Sequence, residues 1–218
     1  MALLGNQFGY WDRVAREKVF THPLNEKVLT QLIDRKARLL DYGCGYGRTC
    51  DDLVRLGYAD VTGVDTSAKM IQRGNRLFPH LNLKTLDLPD DGMLPFESEA
   101  FDGVLLFAVL TCIPEDGDQR CLIDEIRRIL RPAGLLYVSD YWLQTDDRNV
   151  RRYRQFTERF GRYGIFELPE GTVVRHHRRE HVTTLLRRFE ILDLVDMEVV
   201  TMNGNCSNGF QYFGRKAS

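Results

Sequence analysis

Leu39-Leu40-Asp41-Tyr42 is an apolar, strand-like run that passes directly into glycines at alternate positions, Gly43, Gly45 and Gly47, and Val64-Asp65 ends the next apolar run. Glycines at this spacing let the backbone turn sharply and lie against a ligand without interference from Cβ atoms. An acidic residue about twenty positions further on suits ribose hydroxyls. The pattern therefore points to a nucleotide-type cofactor. Dinucleotide folds usually show G-x-G-x-x-G, and the one-residue difference in G-x-G-x-G argues against a pyrophosphate-binding dehydrogenase.

The chain has 218 residues, enough for one sizeable α/β core and few for two. A single domain spanning 1–218 is expected, with helices in 1–36 over the active site and an inserted cap at 141–179. Thirty basic residues against 31 acidic ones provide no global field for nucleic acid or an anionic membrane. Five cysteines without a C-x-x-C pair fit a reducing compartment, so a cytoplasmic location is expected. The longest uncharged core stretch, 103–114, is shorter than the roughly 20 residues of a membrane span.

Hydrophobic periodicity predicts helices at 9–18 and 23–33, the second opening on Pro23 and carrying Val28, Leu29, Leu32 and Ile33 as its apolar stripe. An alternation follows: strand 38–42, helix 48–56, strand 60–64, helix 68–77, a strand near 83–86, the apolar strand 101–107, helix 119–130 and strand 135–139. Arg131-Pro132-Ala133-Gly134 separates the last two. A helix at 180–189 leads to strand 191–200, and residues 209–214 can return beside it after Asn203-Gly204-Asn205. Between 140 and 179 a helix at 149–160 and a strand at 172–175 surround a glycine- and proline-rich run.

At this point the chain resembles the class I S-adenosylmethionine-dependent methyltransferases. Residues 39–47 are similar to the family's first motif, Val61-Thr62-Gly63-Val64-Asp65 to its second, and Leu86-Asp87-Leu88-Pro89 to the segment beside the adenine. Residues 101–114 are similar to the fourth-strand motif, and Glu125-Ile126 with residues 130–135 to the helix and turn before strand five. The resemblance implies a Rossmann-like three-layer α/β sandwich. Its seven-stranded sheet would be mostly parallel with an antiparallel last strand, and the cap would lie between strands five and six.

By the same resemblance, S-adenosyl-L-methionine is the cofactor and S-adenosyl-L-homocysteine the product. Gly43, Gly45 and Gly47 would surround the methionine part, Asp41 would anchor its amino group through water, and Asp65 would take both ribose hydroxyls, two acceptor oxygens for two donors. Thr66 or Met70 would line the adenine, Asp87 would accept from its amine, Leu88 would donate through its backbone, and Phe107 with Ala108 would lie beneath the sulfonium. Leu110-Thr111-Cys112-Ile113-Pro114 stands where many relatives carry histidines, so a base there is missing, and Ala133 replaces a common glycine. Asn/Asp-Pro-Pro-Tyr/Phe, a Pro-Cys nucleophile and a paired-glutamate loop are not evident, which leaves a small-molecule acceptor favoured.

Methyl transfer from a sulfonium is an in-line displacement that requires chiefly positioning, and a base only for a protonated acceptor; no metal is required. Acid/base candidates are His22, Asp140 and one of His176 and His177, since neighbours on a strand face opposite ways. Substrate-contact candidates are Tyr10, Trp11, Tyr141 and Arg175, with Arg154 as a second arginine. No third ligand for a zinc site accompanies His177 and His181. The segment 147–188 holds eleven arginines, no lysine and five acidic residues, with Val150, Tyr153, Phe156, Phe160 and Tyr163 as an apolar helical stripe. Most of these arginines are expected on the solvent face, with one or two free to bind an anionic or aromatic acceptor. An RNA-modifying enzyme using the arginine-rich cap is the alternative, though nucleic acid is not the expected partner. The acceptor identity, the atom methylated and the choice of monomer or homodimer stay open.

Overall fold

The computed structural model describes residues 8–88 and 92–217. Helix α1 (Phe8–Val14) and helix α2 (Glu26–Leu32) precede strand β1 (Arg38–Tyr42), helix α3 (Arg48–Arg55), strand β2 (Asp60–Asp65), helix α4 (Ala68–Leu77) and strand β3 (Asn82–Thr85). Strand β4 (Phe101–Phe107), helix α5 (Asp116–Ile129) and strand β5 (Leu130–Tyr141) follow. Next come helix α6 (Asp147–Phe160), strands β6 (Ile165–Glu167) and β7 (Val173–Arg175), helix α7 (Arg179–Leu185), and strands β8 (Phe189–Val200) and β9 (Cys206–Lys216).

Seven strands form one sheet in the order β3-β2-β1-β4-β5-β9-β8. β1 to β5 pair in parallel, and β9 inserts antiparallel between β5 and β8. The expected mostly parallel seven-stranded α/β sheet with an antiparallel last strand is thus the observed one. Strand alternation builds its two cores. Leu39, Val61, Leu105 and Tyr137 pack on one face under Leu29, Leu53 and Ile71 of α2, α3 and α4. Leu40, Val104, Leu136 and Val138 pack on the other under Leu122, Ile126 and Val182 of α5 and α7. β4 is buried on both sides, which is why its sequence is almost continuously apolar.

Several boundaries differ from expectation for local reasons. α1 ends at Val14, where the amides of Glu17 and Lys18 both fold back to the Val14 carbonyl at 3.0 and 3.1 Å. α2 opens at Glu26 because the Asn25 side chain caps it, accepting from the Val28 amide at 3.2 Å, while the Pro23 carbonyl accepts from Gln211 at 2.8 Å. β5 begins upstream of the 131–134 turn because Leu130 already pairs with Phe101 before a register shift. Within that turn Ala133 holds φ 60°, which explains the glycine common at this place in the family. Residues 165–175 form a second, two-stranded antiparallel sheet of β6 and β7, of which only the later strand was expected. No helix among the described residues is long and apolar enough to cross a membrane.

Candidate active site

A cavity opens at the carboxyl ends of β1, β2, β4 and β5, where open α/β sheets place their ligands. Its first end is made by the β1–α3 loop. The amides of Gly43 and Cys44 both donate to the Val64 carbonyl, at 2.8 and 3.0 Å, folding the loop across the end of β2. Gly45 then donates its amide to Asp65 Oδ2 at 2.8 Å, and Ser67 donates to Oδ1 at 2.8 Å. Each oxygen of the Asp65 carboxylate has one backbone donor, with lone pairs left for two further hydroxyls. Burial nevertheless pushes its pKa up to about 6.

Gly45 lies beneath Phe20; a Cβ there would come 1.8 Å from the Phe20 ring. Phe20 stacks on Tyr46 at 5.2 Å between ring centres, Trp11 meets Phe20 edge-on at 6.0 Å, and Tyr10 meets Trp11 at 5.0 Å. This aromatic file brings the N-terminal segment over the loop, and Tyr10 and Trp11 both line the cavity. Gly47, at φ 83°, caps α3 and backs the loop against Leu83 without lining the cavity.

Asp41 supplies the second carboxylate. Its Oδ2 accepts from the Cys50 thiol at 3.3 Å, whereas the buried Oδ1 has no hydrogen-bond partner. Burial raises its pKa to about 7, opposed by the Cys50 hydrogen bond and the nearby Arg48. A buried carboxylate oxygen without a donor is costly, and a ligand ammonium is the kind of group that satisfies it. A charge-seeking Asp41 and a diol-suited Asp65, side by side with Thr66, Met70 and Phe107 in the wall, fit an aminoacyl nucleoside such as S-adenosylmethionine. Ala108, also in the wall, holds φ 53°, a left-handed strain of the kind found at functional sites.

Asp87 and Leu88 are placed elsewhere. Leu86 lines the cavity, but Asp87 is exposed and Leu88 packs on the core, and Pro89 of the same motif lies outside the described residues.

The opposite end gathers His22, Tyr141, His176, Arg148, Arg152 and Phe166 from five separate segments. His22 is buried, with Nδ1 hydrogen-bonded to Ser139 Oγ at 2.9 Å, its ring edge-on to Tyr141 at 4.6 Å, and Nε2 without a partner. Burial, reinforced by the Arg48 charge, lowers its pKa to about 3 and keeps it neutral. His176 is buried and neutral as well, lowered to about 3 by burial and by Arg152 and Arg148. Its Nδ1 lies 2.5 Å from the Tyr153 hydroxyl, which also accepts from the Gln144 amide. With that hydroxyl assigned as the donor to Nδ1, the His176 proton sits on Nε2 and the ring offers a donor there.

Three expected site residues face away. Residues 172–177 alternate along an extended strand: Thr172, Val174 and His176 line the cavity, so Arg175 and His177 point to its far side. Arg175 donates to the Pro114 carbonyl at 2.8 Å and to Asp116 at 2.7 Å. His177 is buried 3.8 Å from Asp140 and stacks on His181 at 5.8 Å. Asp140 is spent on backbone donors, Thr111 at 3.0 Å and Tyr141 at 2.7 Å, holding the turn after β4 to the end of β5; burial raises its pKa to about 7. Arg154 is exposed on α6. Sequence reasoning missed Arg48, Arg148 and Arg152, all in the wall. The only signal was that Arg148 and Arg152 stand one helical turn apart beside Asn149 and Tyr153, both buried.

Lys18 clasps the rim. Its ammonium reaches Asn203 Oδ1 at 2.7 Å, in the β8–β9 turn, and Glu170 at 3.3 Å, in the β6–β7 connection, so three segments meet over the cavity.

The comparisons agree with this geometry. A family model described as a methyltransferase domain matches residues 40–138. An O-methyltransferase of Aspergillus nomiae is 29% identical over 162 residues, 70% of this chain and 69% of the relative. An O-methyltransferase of Aspergillus sclerotiorum is 25% identical over 198 residues, 87% of this chain and 70% of the relative. Among solved structures, a SAM-dependent methyltransferase of Methanosarcina mazei superposes with a TM-score of 0.79 at 25% identity, covering 87% of this chain and 97% of that one. With the sheet order, the glycine loop and the two carboxylates at the strand ends, these matches support the resemblance of this chain to the class I S-adenosylmethionine-dependent methyltransferases.

Proposed function

We propose that this enzyme transfers the S-adenosylmethionine methyl group to an oxygen of a small organic acceptor by direct in-line displacement. The observation that carries the donor side is the buried, unpartnered Oδ1 of Asp41 beside the doubly held Asp65. Asp41 would hold the amino group, Asp65 the ribose hydroxyls, and Thr66, Met70 and Phe107 would pack the remainder, with Gly43 and Gly45 shaping the loop. When bound, the cofactor supplies an electrophilic methyl on a sulfonium, and the protein's share is to align the acceptor, so no metal is needed.

Oxygen is favoured because O-methyltransferases are among the relatives and because His22 Nε2 is a buried, unpartnered atom in the wall. In the tautomer that donates from Nδ1 to Ser139, Nε2 presents a lone pair to an acceptor hydroxyl and takes its proton as the C–O bond forms and the C–S bond breaks. Its low pKa keeps the resting ring neutral, so that Nε2 carries no proton in that tautomer before the acceptor arrives. Tyr10, Trp11 and Tyr141 form the apolar walls, and the segment 141–179 serves as the acceptor cap. The five free cysteines accord with a cytoplasmic setting.

Titration calorimetry with S-adenosylhomocysteine tests the donor side; no binding by the native chain defeats the reading. Release of S-adenosylhomocysteine with a panel of hydroxylated small molecules tests the acceptor side, and turnover confined to amines or thiols rejects oxygen.

A further inference from the structure

Arg148 and Arg152, one turn apart on α6, enter the wall at the end of the cavity opposite Asp41 and Asp65. Arg152 lies with its guanidinium 3.6 Å from the centre of the Phe166 ring, and its Nε is buried without a hydrogen-bond partner. Stacking on an aromatic face leaves the edge of the guanidinium fork for a ligand. Burial lowers its pKa, the price of a cation drawn out of water.

The carboxylates around it are engaged. Asp146 caps α6 through the Asn149 amide at 3.1 Å and stands 4.0 Å from Arg148, with only a weak electrostatic pull on Arg152, whose side chain also hydrogen-bonds Tyr153. Asp116 bonds Arg162 and Arg175, Glu167 pairs with Arg159, and Glu170 sits with Lys18 at 3.3 Å. Among the described residues Arg152 therefore forms no ion pair, although its charge is strong enough to help hold His176 neutral. The neighbouring walls are flat and apolar, with Tyr141 and His176 at 5.3 Å and Phe166 edge-on to His176 at 5.0 Å. His176 Nε2–H adds a neutral donor.

We infer that the methyl acceptor is a planar, largely apolar molecule bearing one anionic oxygen group, a carboxylate or a phosphate, which the Arg152 fork binds with Arg148 flanking it and Tyr141, Phe166 and His176 packing the ring. This rests on the methyltransferase reading. A half-buried cation that forms no ion pair is compensated when the ligand brings the anion, and a bidentate pair also sets the ring's orientation, which in-line transfer requires.

The test uses the full chain saturated with S-adenosylhomocysteine, whose own binding is measured first by calorimetry. 1-Naphthoate, 1-naphthyl phosphate and the neutral 1-naphthamide are then titrated. At least one anion is expected to bind about tenfold more tightly than the amide, and the better of the two identifies the group. Arg152→Gln is expected to abolish that preference with S-adenosylhomocysteine affinity unchanged, whereas Arg154→Gln, on the exposed side of α6, keeps it. Absence of saturable binding by both anions, equal affinity for anion and amide, or an undiminished preference in Arg152→Gln overturns the inference while leaving the methyltransferase reading intact. Failure of the native chain to bind S-adenosylhomocysteine is a separate result that removes both.

Discussion

The two ends of the cavity are built in opposite ways. The donor end is a set of backbone amides and strand-end carboxylates from adjoining segments: Gly43 and Cys44 bonded to Val64, Gly45 and Ser67 bonded to Asp65. The end proposed for the acceptor is a convergence of long side chains, with His22 from before α2, Tyr141 from β5, Arg148 and Arg152 from α6, and His176 from the strand after β7. The donor end is held by hydrogen bonds that local geometry dictates. The acceptor end depends on packing between segments far apart in the chain, so side chains there can be exchanged while the donor loop is kept.

If that division is real, substitutions should separate the two ends. The largest effect is expected for Asp65→Ala, which removes both ribose acceptors and also orphans the Gly45 and Ser67 amides; S-adenosylhomocysteine affinity should fall by about 100-fold or more, about 3 kcal/mol, in calorimetry. Undiminished affinity breaks the donor-end assignment. His22→Ala should lower kcat by about 100-fold with cofactor affinity unchanged to within about twofold. A parallel loss of cofactor binding would move His22 to the donor end.

Gly45→Ala comes next. The added methyl meets the Phe20 ring, so a destabilisation of about 1–3 kcal/mol is expected in thermal unfolding, partly relieved by adding Phe20→Ala. Absence of relief would show that the left-handed backbone at Gly45, not the aromatic file, sets the cost.

A pH series distinguishes the ends without mutation. Burial raises Asp41 to about 7 and Asp65 to about 6, so the folded protein holds these protons more tightly than the unfolded chain. Their contribution to stability is fully present below about pH 4 and is lost as pH rises through 6 to 7. The melting temperature of the unliganded protein should carry that loss. Because an ammonium on the ligand favours ionised Asp41, the stabilisation by S-adenosylhomocysteine should grow between pH 5.5 and 8. Asp140, raised to about 7 by burial but facing away from the cavity, adds to the first trend and not to the second. A cofactor-induced shift that is flat with pH would unseat Asp41. The smallest effect is expected at the rim: Lys18→Ala should cost about 0.5 kcal/mol, since its ion pair is partly solvated, with a modest rise in KM as the three segments loosen.

How far each end could be read in advance follows from the same contrast. Gly43 and Gly45, with Asp41 and Asp65, were legible as a loop at the ends of neighbouring strands because each sits at a strand end or tight turn that short sequence patterns mark. The mostly parallel sheet was legible from the βαβ alternation, whereas the order of its strands came from the structure. Arg175 was misplaced because its direction depends on where the strand's parity falls: once Val174 and His176 face the cavity, Arg175 and His177 cannot. Asp140 was misplaced for a related reason, because a carboxylate at a strand end can turn toward the neighbouring turn's amides as readily as toward a ligand. Among eleven arginines in 147–188, composition alone could not single out Arg148 and Arg152.

By itself the sequence determined the mostly parallel sheet, through periodicity, and the methyl donor, through short motifs that resemble those of a known family. The tertiary structure alone decided which side chains converge on the far end of the cavity. Those contacts span 117 positions between His22 and Ser139, 152 between Lys18 and Glu170 and 185 between Lys18 and Asn203, and no local rule sets such a convergence. It is settled by which faces of the N-terminal segment, α6 and residues 172–177 the two cores leave turned toward the carboxyl ends of the strands.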